Sequence, residues 1–366
     1  MSTTALEPGA RYAGYRVVKL LGRGGMGVVY EAARDDGGAK VALKILHAHL
    51  HSNTNVVKRF EREAAFVRRL SGEHVVPLVD FGVGDDGSLF MALELVLGRP
   101  LDVALAADGP PPIAEVVRLS IEIARGLLAA HDKGVVHRDL KPANVMLEER
   151  PGAPPRARVC DFGLGKALGD EGFATKLTDK SMVFGTPEYM APEQVTGDAI
   201  DVRTDVYSLG CVMYELLTGR PPFVGKTSMA TLTMHLSDDV VPPSERAPHR
   251  RVPPALDAVV LRALSREPGA RYQTVGELAR ALADVSTAPT ASIDPLGMTQ
   301  ASDAGEPTRS RPVVVSVRPQ TATGTRPRPV TSRTPPPSPR ARWAPWAVTV
   351  ALAVAVGASV GWFFTR

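Results

Sequence analysis

Cysteine is scarce in this chain: 366 residues hold two, Cys160 and Cys211, each in an apolar setting. That leaves no material for a disulfide framework, and both thiols read as small buried hydrophobes of a reducing compartment. The N-terminus carries no apolar signal-peptide core, so no secretory signal is expected. Internal repeats are missing as well, which removes the repeat architectures. Aromatic residues amount to 5% and are not interleaved with the basic ones, as a base-stacking platform would need. No nucleic-acid partner is therefore expected, although the sequence pI is about 9.1. The formal net charge of +4 is not spread evenly: Arg309 to Arg342 contains eight arginines and no acidic residue.

What is present divides the chain. Hydrophobic residues make up 44% and charged residues 22%, ordinary for a globular protein, and a sizeable core is available up to about Val285. Residues 286–345 are rich in Pro, Thr, Ser and Arg and poor in aromatics, a composition that buries too little surface to fold and reads as a linker. Trp346 to Phe364 then runs for 19 residues without a charge. As a helix it would span roughly 28 Å at ~1.5 Å per residue, close to the hydrocarbon thickness of a bilayer. Trp343, Trp346 and Trp362 flank it as interfacial anchors would, and Arg333, Arg340 and Arg342 on its N-terminal side place everything before it in the cytoplasm. A single-pass protein of the cytoplasmic membrane is expected, rather than a buried core helix. Only Thr365 and Arg366 follow, so an external sensor is not expected. Gly357 and Gly361, extended by Thr349 and Ala353, form a small-residue stripe that would serve helix pairing and hence a homodimer.

Hydrophobic periodicity predicts strands in YRVVKLLG, GVVYEAAR, KVALKIL, PLVDFGVG and SLFMALELV, with a GDDG turn between the last two. A helix is predicted in VVKRFEREAAFVRRL, with Val57, Phe60, Ala64, Val67 and Leu70 on one face. After Gly98 the pattern turns helical. Val117, Ile121, Ala124, Leu128 and His131 mark a long buried helix, and further helices follow at 209–217, 256–264 and 274–282, the last with a Thr274–Glu277 capping box. The fold expected is α+β: a small antiparallel β-sheet lobe with one helix over residues 15–96 and a larger, mainly helical lobe over 97–285, after an N-terminal extension at 1–14.

Five stretches carry chemistry. LGRGGMGVV spaces Gly22, Gly24 and Gly27 as G-x-G-x-x-G, so backbone N–H groups can approach phosphates. The same pattern occurs in dinucleotide sites, but there a helix opens at the third glycine. Here VVY follows, which favours a hairpin flap. VALK ends in Lys44, which closes an alternating strand and should point inward beside Ala42, where it needs an anion. Glu63, on the flank of the apolar helix face, is preferred over the outer Glu61. VVHRDLKPANVML brings His137, Arg138, Asp139, Lys141 and Asn144 into one short loop. VCDFG supplies Asp161, which with Asn144 makes an oxygen-only ligand pair suited to Mg²⁺. GTPEYMAPEQ, residues 185–194, leads into a buried helix.

In this order the stretches resemble the signature set of the eukaryotic-like Ser/Thr protein kinases in their bacterial form, over residues 15–285. The resemblance implies ATP and Mg²⁺, with Mn²⁺ as an alternative, and transfer of the γ-phosphoryl group to Ser/Thr hydroxyls of proteins, the chain itself among them, in signal transduction. It makes Asp139 the group that accepts or orients the substrate hydroxyl proton. Lys141 contacts the transferring phosphate, and Lys44, held by Glu63, contacts the α- and β-phosphates. Asn144 and Asp161 are the metal ligands. Leu21, Gly22, Gly24, Gly27, Val29 and Ala42 line the nucleotide site, with Glu94 and Val96 in the adenine hinge. His137 packs against Phe162. Asp205 receives backbone N–H groups of the catalytic loop, and Glu193 and Arg271 form a buried ion pair. Thr186 faces Asp139 and Lys141. Arg138 awaits a phosphorylated loop residue, Thr178 and Ser181 being the candidates. Two other classes stay open: a nucleotide-gated pseudokinase scaffold, against which stand Lys44, Asp139 and Asp161, and a small-molecule phosphotransferase, against which stands GTPEYMAPE.

Overall fold

The computed structural model describes residues 6–24, 27–47, 54–162 and 186–287. The chain separates into two units, Met1–Ile293 and Asp294–Arg366, and all described residues belong to the first. The linker and the apolar stretch 346–364 lie outside the described residues; among those described, no helix is long and apolar enough to cross a membrane.

Six strands form one antiparallel sheet: β1 (Arg11–Tyr12), β2 (Tyr15–Gly24), β3 (Gly27–Arg34), β4 (Lys40–Leu46), β5 (Leu78–Val83) and β6 (Leu89–Glu94), in the order β1-β2-β3-β4-β6-β5. The boundary expected at Tyr15 falls inside this sheet, because Tyr12 is buried edge-on to Phe90 and donates to Asp86 Oδ1 at 2.9 Å. Strand β4 serves two sides. Val41, Leu43 and Ile45 enter a core with Tyr15, Tyr30 and Phe90, while the alternate positions Ala42 and Lys44 are half-buried on the opposite face. That alternation is the period-2 geometry of a pleated strand.

Helix α1 (Thr54–Val67) buries Phe60, Ala64 and Val67 and joins a second core that continues into the larger lobe. That lobe contains β7 (Gly98–Pro100), α2 (Leu101–Asp108), α3 (Ile113–His131), β8 (Val145–Arg150) and β9 (Ala153–Val159). It goes on through α4 (Pro192–Thr196), α5 (Val202–Thr218), α6 (Ser228–Ser237), α7 (Pro243–Arg246), α8 (Pro254–Ala263) and α9 (Val275–Thr287). Strands β7, β8 and β9 make a small sheet of their own.

Two helix details differ from the sequence expectation. Helix α3 buries Val116, Leu119, Ser120, Ile123 and Leu127 besides Val117 and Ala124, and leaves Leu128 exposed. Packed by β9, α5 and α9 on several sides, it has no single apolar stripe. At α9, Thr274 Oγ1 accepts from Glu277 N at 3.1 Å, but the Glu277 carboxylate reaches back to Gln273 N at 2.9 Å, one residue beyond a regular capping box.

Candidate active site

Lys44 arrives from β4 and Asp161 from the segment after β9. Lys44 Nζ donates to Asp161 Oδ2 at 2.6 Å. Burial alone would lower the Lys44 ammonium, yet the neighbouring carboxylate outweighs it and holds Lys44 above its ordinary value. Burial likewise works to raise Asp161, and the Lys44 charge reverses the sign and holds its carboxyl below the usual range. The second oxygen, Asp161 Oδ1, is buried and takes no hydrogen bond among the described residues. Asp161 also has φ 59°, a left-handed backbone uncommon for a non-glycine residue. Such strain, held by its surroundings, is frequent at functional positions.

The residues of the 137–144 loop assemble around Asp139. Lys141 Nζ donates to Asp139 Oδ2 at 2.8 Å, and Asn144 Nδ2 donates to the Asp139 carbonyl at 2.8 Å and to Oδ2 at 3.3 Å. The register Val145↔Val159 sets Asn144 beside the end of β9, and Cys160 N donates to the Asn144 carbonyl at 2.9 Å. The hairpin of β8 and β9 is therefore what delivers the two expected metal ligands to one place. Asn144 has its amide nitrogen committed to Asp139, which leaves its amide oxygen for a ligand. Together with the orphaned Asp161 Oδ1, this donor set fits a hard divalent cation that takes its remaining ligands from phosphates and water. Among the described residues no group of three or more His, Cys, Asp or Glu could hold a metal by itself.

His137 acts on geometry. Its ring lies 4.9 Å from that of Phe162. Nδ1 accepts from Asp139 N at 3.3 Å, so the proton sits on Nε2, which donates to the Cys160 carbonyl at 2.9 Å. Asp205, fully buried on α5, accepts from His137 N at 2.8 Å, Arg138 N at 2.9 Å and His131 Nε2 at 2.7 Å. Deeper in the lobe, Arg271 Nη1 and Nη2 donate to the two Glu193 oxygens at 2.8 Å each, and Thr204 Oγ1 donates to the same carboxylate at 2.7 Å.

The residues expected to line a nucleotide site fall around the β2–β3 hairpin and the β6 end. Leu21, Gly22 and Gly24 lie on β2, and Gly27 and Val29 on β3, where Val29 pairs with Lys44 across the sheet. The two outer glycines do different work. A Cβ on Gly27 would stand 2.1 Å from the Ile45 carbonyl oxygen, whereas one on Gly22 meets nothing within 4 Å. Gly27 is required by the sheet itself, whereas no neighbour among the described residues requires a glycine at 22. Glu94 and Val96 stand just at and after the end of β6. Glu63 belongs to α1, but its side chain lies outside the described residues; the anion at Lys44 that is described is Asp161. Glu61 is exposed. Thr175, Thr178 and Ser181 also lie outside the described residues.

Two side chains that the motif pattern did not single out tie the site together. Arg158 on β9 is almost fully buried. It donates to Glu94 at 2.6 Å and 3.1 Å, to Glu148 at 3.0 Å and to the Val75 carbonyl at 2.9 Å, joining the hinge to both lobes. Gln194 Nε2 donates to the Arg138 carbonyl at 2.7 Å. The only sequence hint for Arg158 is a charge within an otherwise apolar strand end; for Gln194 there is none beyond its adjacency to APE.

Comparison with known proteins agrees with this arrangement. Residues 15–280 match the family described as protein kinase domain. The chain is 40% identical over 257 residues to the serine/threonine-protein kinase pkn3 of Myxococcus xanthus, covering 70% of this chain and 47% of the relative. It is 38% identical over 287 residues to PknD of Mycobacterium tuberculosis, covering 78% and 42%. It thus spans less than half the length of these curated relatives. Among solved structures, the Mycobacterium tuberculosis PknI kinase domain superposes with a TM-score of 0.61 at 29% identity, over 77% of this chain and 99% of that one.

Proposed function

Because this chain belongs to the protein kinase family, we propose that it transfers the γ-phosphoryl group of ATP to serine and threonine hydroxyls of proteins, its own among them. The observation that carries this is the placement of two groups side by side, Lys44 with Asp161 and Asp139 with Lys141 and Asn144, each joined by contacts of 2.6–3.3 Å and linked to each other by the Cys160 N–Asn144 carbonyl bond. Phosphoryl transfer spreads negative charge over oxygens, so its catalysis consists mainly of positioning and charge stabilisation. Lys44 and Lys141 supply two cations on either side of that charge. Asn144 and Asp161 would hold Mg²⁺, which when bound neutralises the phosphate oxygens. Asp139 orients the acceptor hydroxyl and takes its proton, and its N–H is fixed by His137 so that the carboxylate keeps one aim. His137 Nδ1 is occupied by that N–H, so the ring is a support and not a base. The Arg138 Nε, buried without a partner among the described residues, supports activation by a phosphate on the 163–185 segment.

The membrane assignment rests on sequence alone. The uncharged run at 346–364 and the arginines before it support a single span with the kinase domain in the cytoplasm. The small-residue stripe in that run supports pairing of two copies, which would favour phosphorylation of one by the other. A chain ending at Pro345 should then autophosphorylate more slowly than the full chain in membranes; equal rates at low concentration would remove the pairing idea.

The test of the activity is transfer of label from γ-³²P-labelled ATP with Mg²⁺ to protein, compared between wild type and Lys44→Met. Label on protein with wild type alone is expected. Nucleotide binding without transfer would instead indicate a scaffold.

A further inference from the structure

The peptide plane that precedes Asp139 is held at both ends. Its N–H, on Asp139, donates to His137 Nδ1 at 3.3 Å. Its carbonyl, on Arg138, accepts from Gln194 Nε2 at 2.7 Å, across 56 positions of sequence. Arg138 itself sits at φ 65°, in the left-handed region that a non-glycine residue keeps only where its surroundings impose it. Its N–H is taken by Asp205 Oδ1 at 2.9 Å, so Asp205 and Gln194 clamp the strained residue from opposite sides. Rotation of this one plane would swing the Asp139 carboxylate.

The other half of the Gln194 amide faces a different segment. Gln194 Oε1 accepts from Ala191 N at 3.0 Å, where α4 begins. Ala191 is fully buried and follows directly on Thr186 to Met190. One side-chain amide therefore joins the 186–191 segment, which leads to α4, to the peptide that aims Asp139. An amide suits this place because it has one accepting and one donating end; a carboxylate has only acceptors, an ammonium only donors.

We propose that Gln194 is a positioning residue that couples the 186–191 segment to the aim of Asp139, so that the order of that segment sets the rate of transfer. This rests on the kinase activity proposed above. It is distinct from the roles of Asp139, Lys141 and Asp205, since Gln194 touches neither reacting groups nor metal ligands.

Its two contacts can be removed one at a time. Gln194→Glu keeps the acceptor for Ala191 N and loses the donor to the Arg138 carbonyl. Gln194→Lys keeps a donor for Arg138 and loses the acceptor. Steady-state transfer to a protein substrate and thermal unfolding are measured for wild type and both variants. The expected result for Gln194→Glu is a kcat lower by about 10- to 100-fold, the cost of misaiming a reacting group, with KM for ATP and the melting temperature near wild type. Gln194→Lys, which cuts the link to Ala191 N instead, should also lower kcat, by about 10-fold, with the melting temperature near wild type. A Gln194→Glu enzyme with wild-type kcat overturns the inference, as does a loss that always accompanies lower melting temperature and higher ATP KM in both variants. Wild-type kcat in Gln194→Lys likewise overturns the coupling, and if Gln194→Glu does not fold, Gln194→Lys decides alone: a lowered kcat at unchanged stability supports the coupling and a retained kcat refutes it. Absence of transfer by wild type would fail the kinase reading itself, which separates that failure from this one.

Discussion

Lys44 and Asp161 lie 117 positions apart in sequence and meet at 2.6 Å across the cleft. Each keeps the other charged: the pair outweighs burial at both ends, lifting the lysine and lowering the carboxyl. A carboxyl depressed in the folded state contributes stability that is present above its unfolded value and lost as pH falls through the folded one. Near neutrality both partners are therefore fully ionised, and the acid limb of a rate profile above the ordinary carboxylate range should not belong to Asp161.

Replacing Asp139 by Asn should remove the proton acceptor while leaving an oxygen for Lys141 and a carbonyl for Asn144. We expect kcat to fall by about 10²–10⁴-fold, with ATP affinity and melting temperature nearly unchanged. Single-turnover transfer alongside nucleotide titration checks this.

The glycines of the hairpin should separate folding from function. Gly27→Ala pushes a methyl against the Ile45 carbonyl and should cost about 1–3 kcal/mol in urea unfolding, as overpacking does. Gly22→Ala enters open space, should change stability by less than about 0.5 kcal/mol, and should raise KM for ATP.

Arg158→Met should weaken the hinge. It strands the Val75 carbonyl, releases Glu94 and leaves Glu148 to Arg156 alone, whose Nε lies 2.9 Å from it. A fully buried broken pair costs about 3–5 kcal/mol, but the Glu94 side chain is 44% exposed, so about 1–3 kcal/mol is expected here. Urea denaturation measures the loss, and a higher ATP KM should accompany it.

His235 provides an acid-sensitive point. It is fully buried on α6, hydrogen-bonded through Nδ1 to Tyr207 Oη at 2.7 Å and packed on Phe223, and burial brings its pKa down to about 4. The unfolded chain takes up this proton near pH 6.5, the folded chain only near pH 4, so stability falls as pH drops through that window. The loss is on the order of 3 kcal/mol. His235→Gln, which still offers Tyr207 a partner, should show a smaller drop in unfolding free energy between about pH 7 and about pH 4.5 than wild type.

The order of strands and helices was legible because it is local: β4 alternates as VALK does, and α1 buries Phe60, Ala64 and Val67 at helical spacing. Asp139 and Asn144 were legible because they share one short loop, and Asp161 because it is anchored to Asn144 by neighbouring strands. What escaped depends on contacts that periodicity does not encode. Gln194 is the last letter of GTPEYMAPEQ, yet its partner is a carbonyl in another loop. Arg158 belongs to none of the five stretches, and its meaning comes from Glu94, 64 positions earlier. Leu128 falls at the spacing of a buried face yet is exposed, since a helix surrounded on several sides gives no single stripe to read. Tyr12 escapes because a two-residue strand has no periodicity to read.

The anchoring of the catalytic loop to Asp205 has a mechanical corollary. His137 and Arg138 hang from α5, and Gln194 belongs to α4, so these supports of the Asp139 peptide all reside in one lobe. Lys44 reaches over from the sheet. Hinge-like breathing of the sheet, as nucleotide enters or departs, would stretch the Lys44–Asp161 contact while leaving the acceptor-side geometry intact, so cofactor exchange and substrate alignment are mechanically insulated from each other.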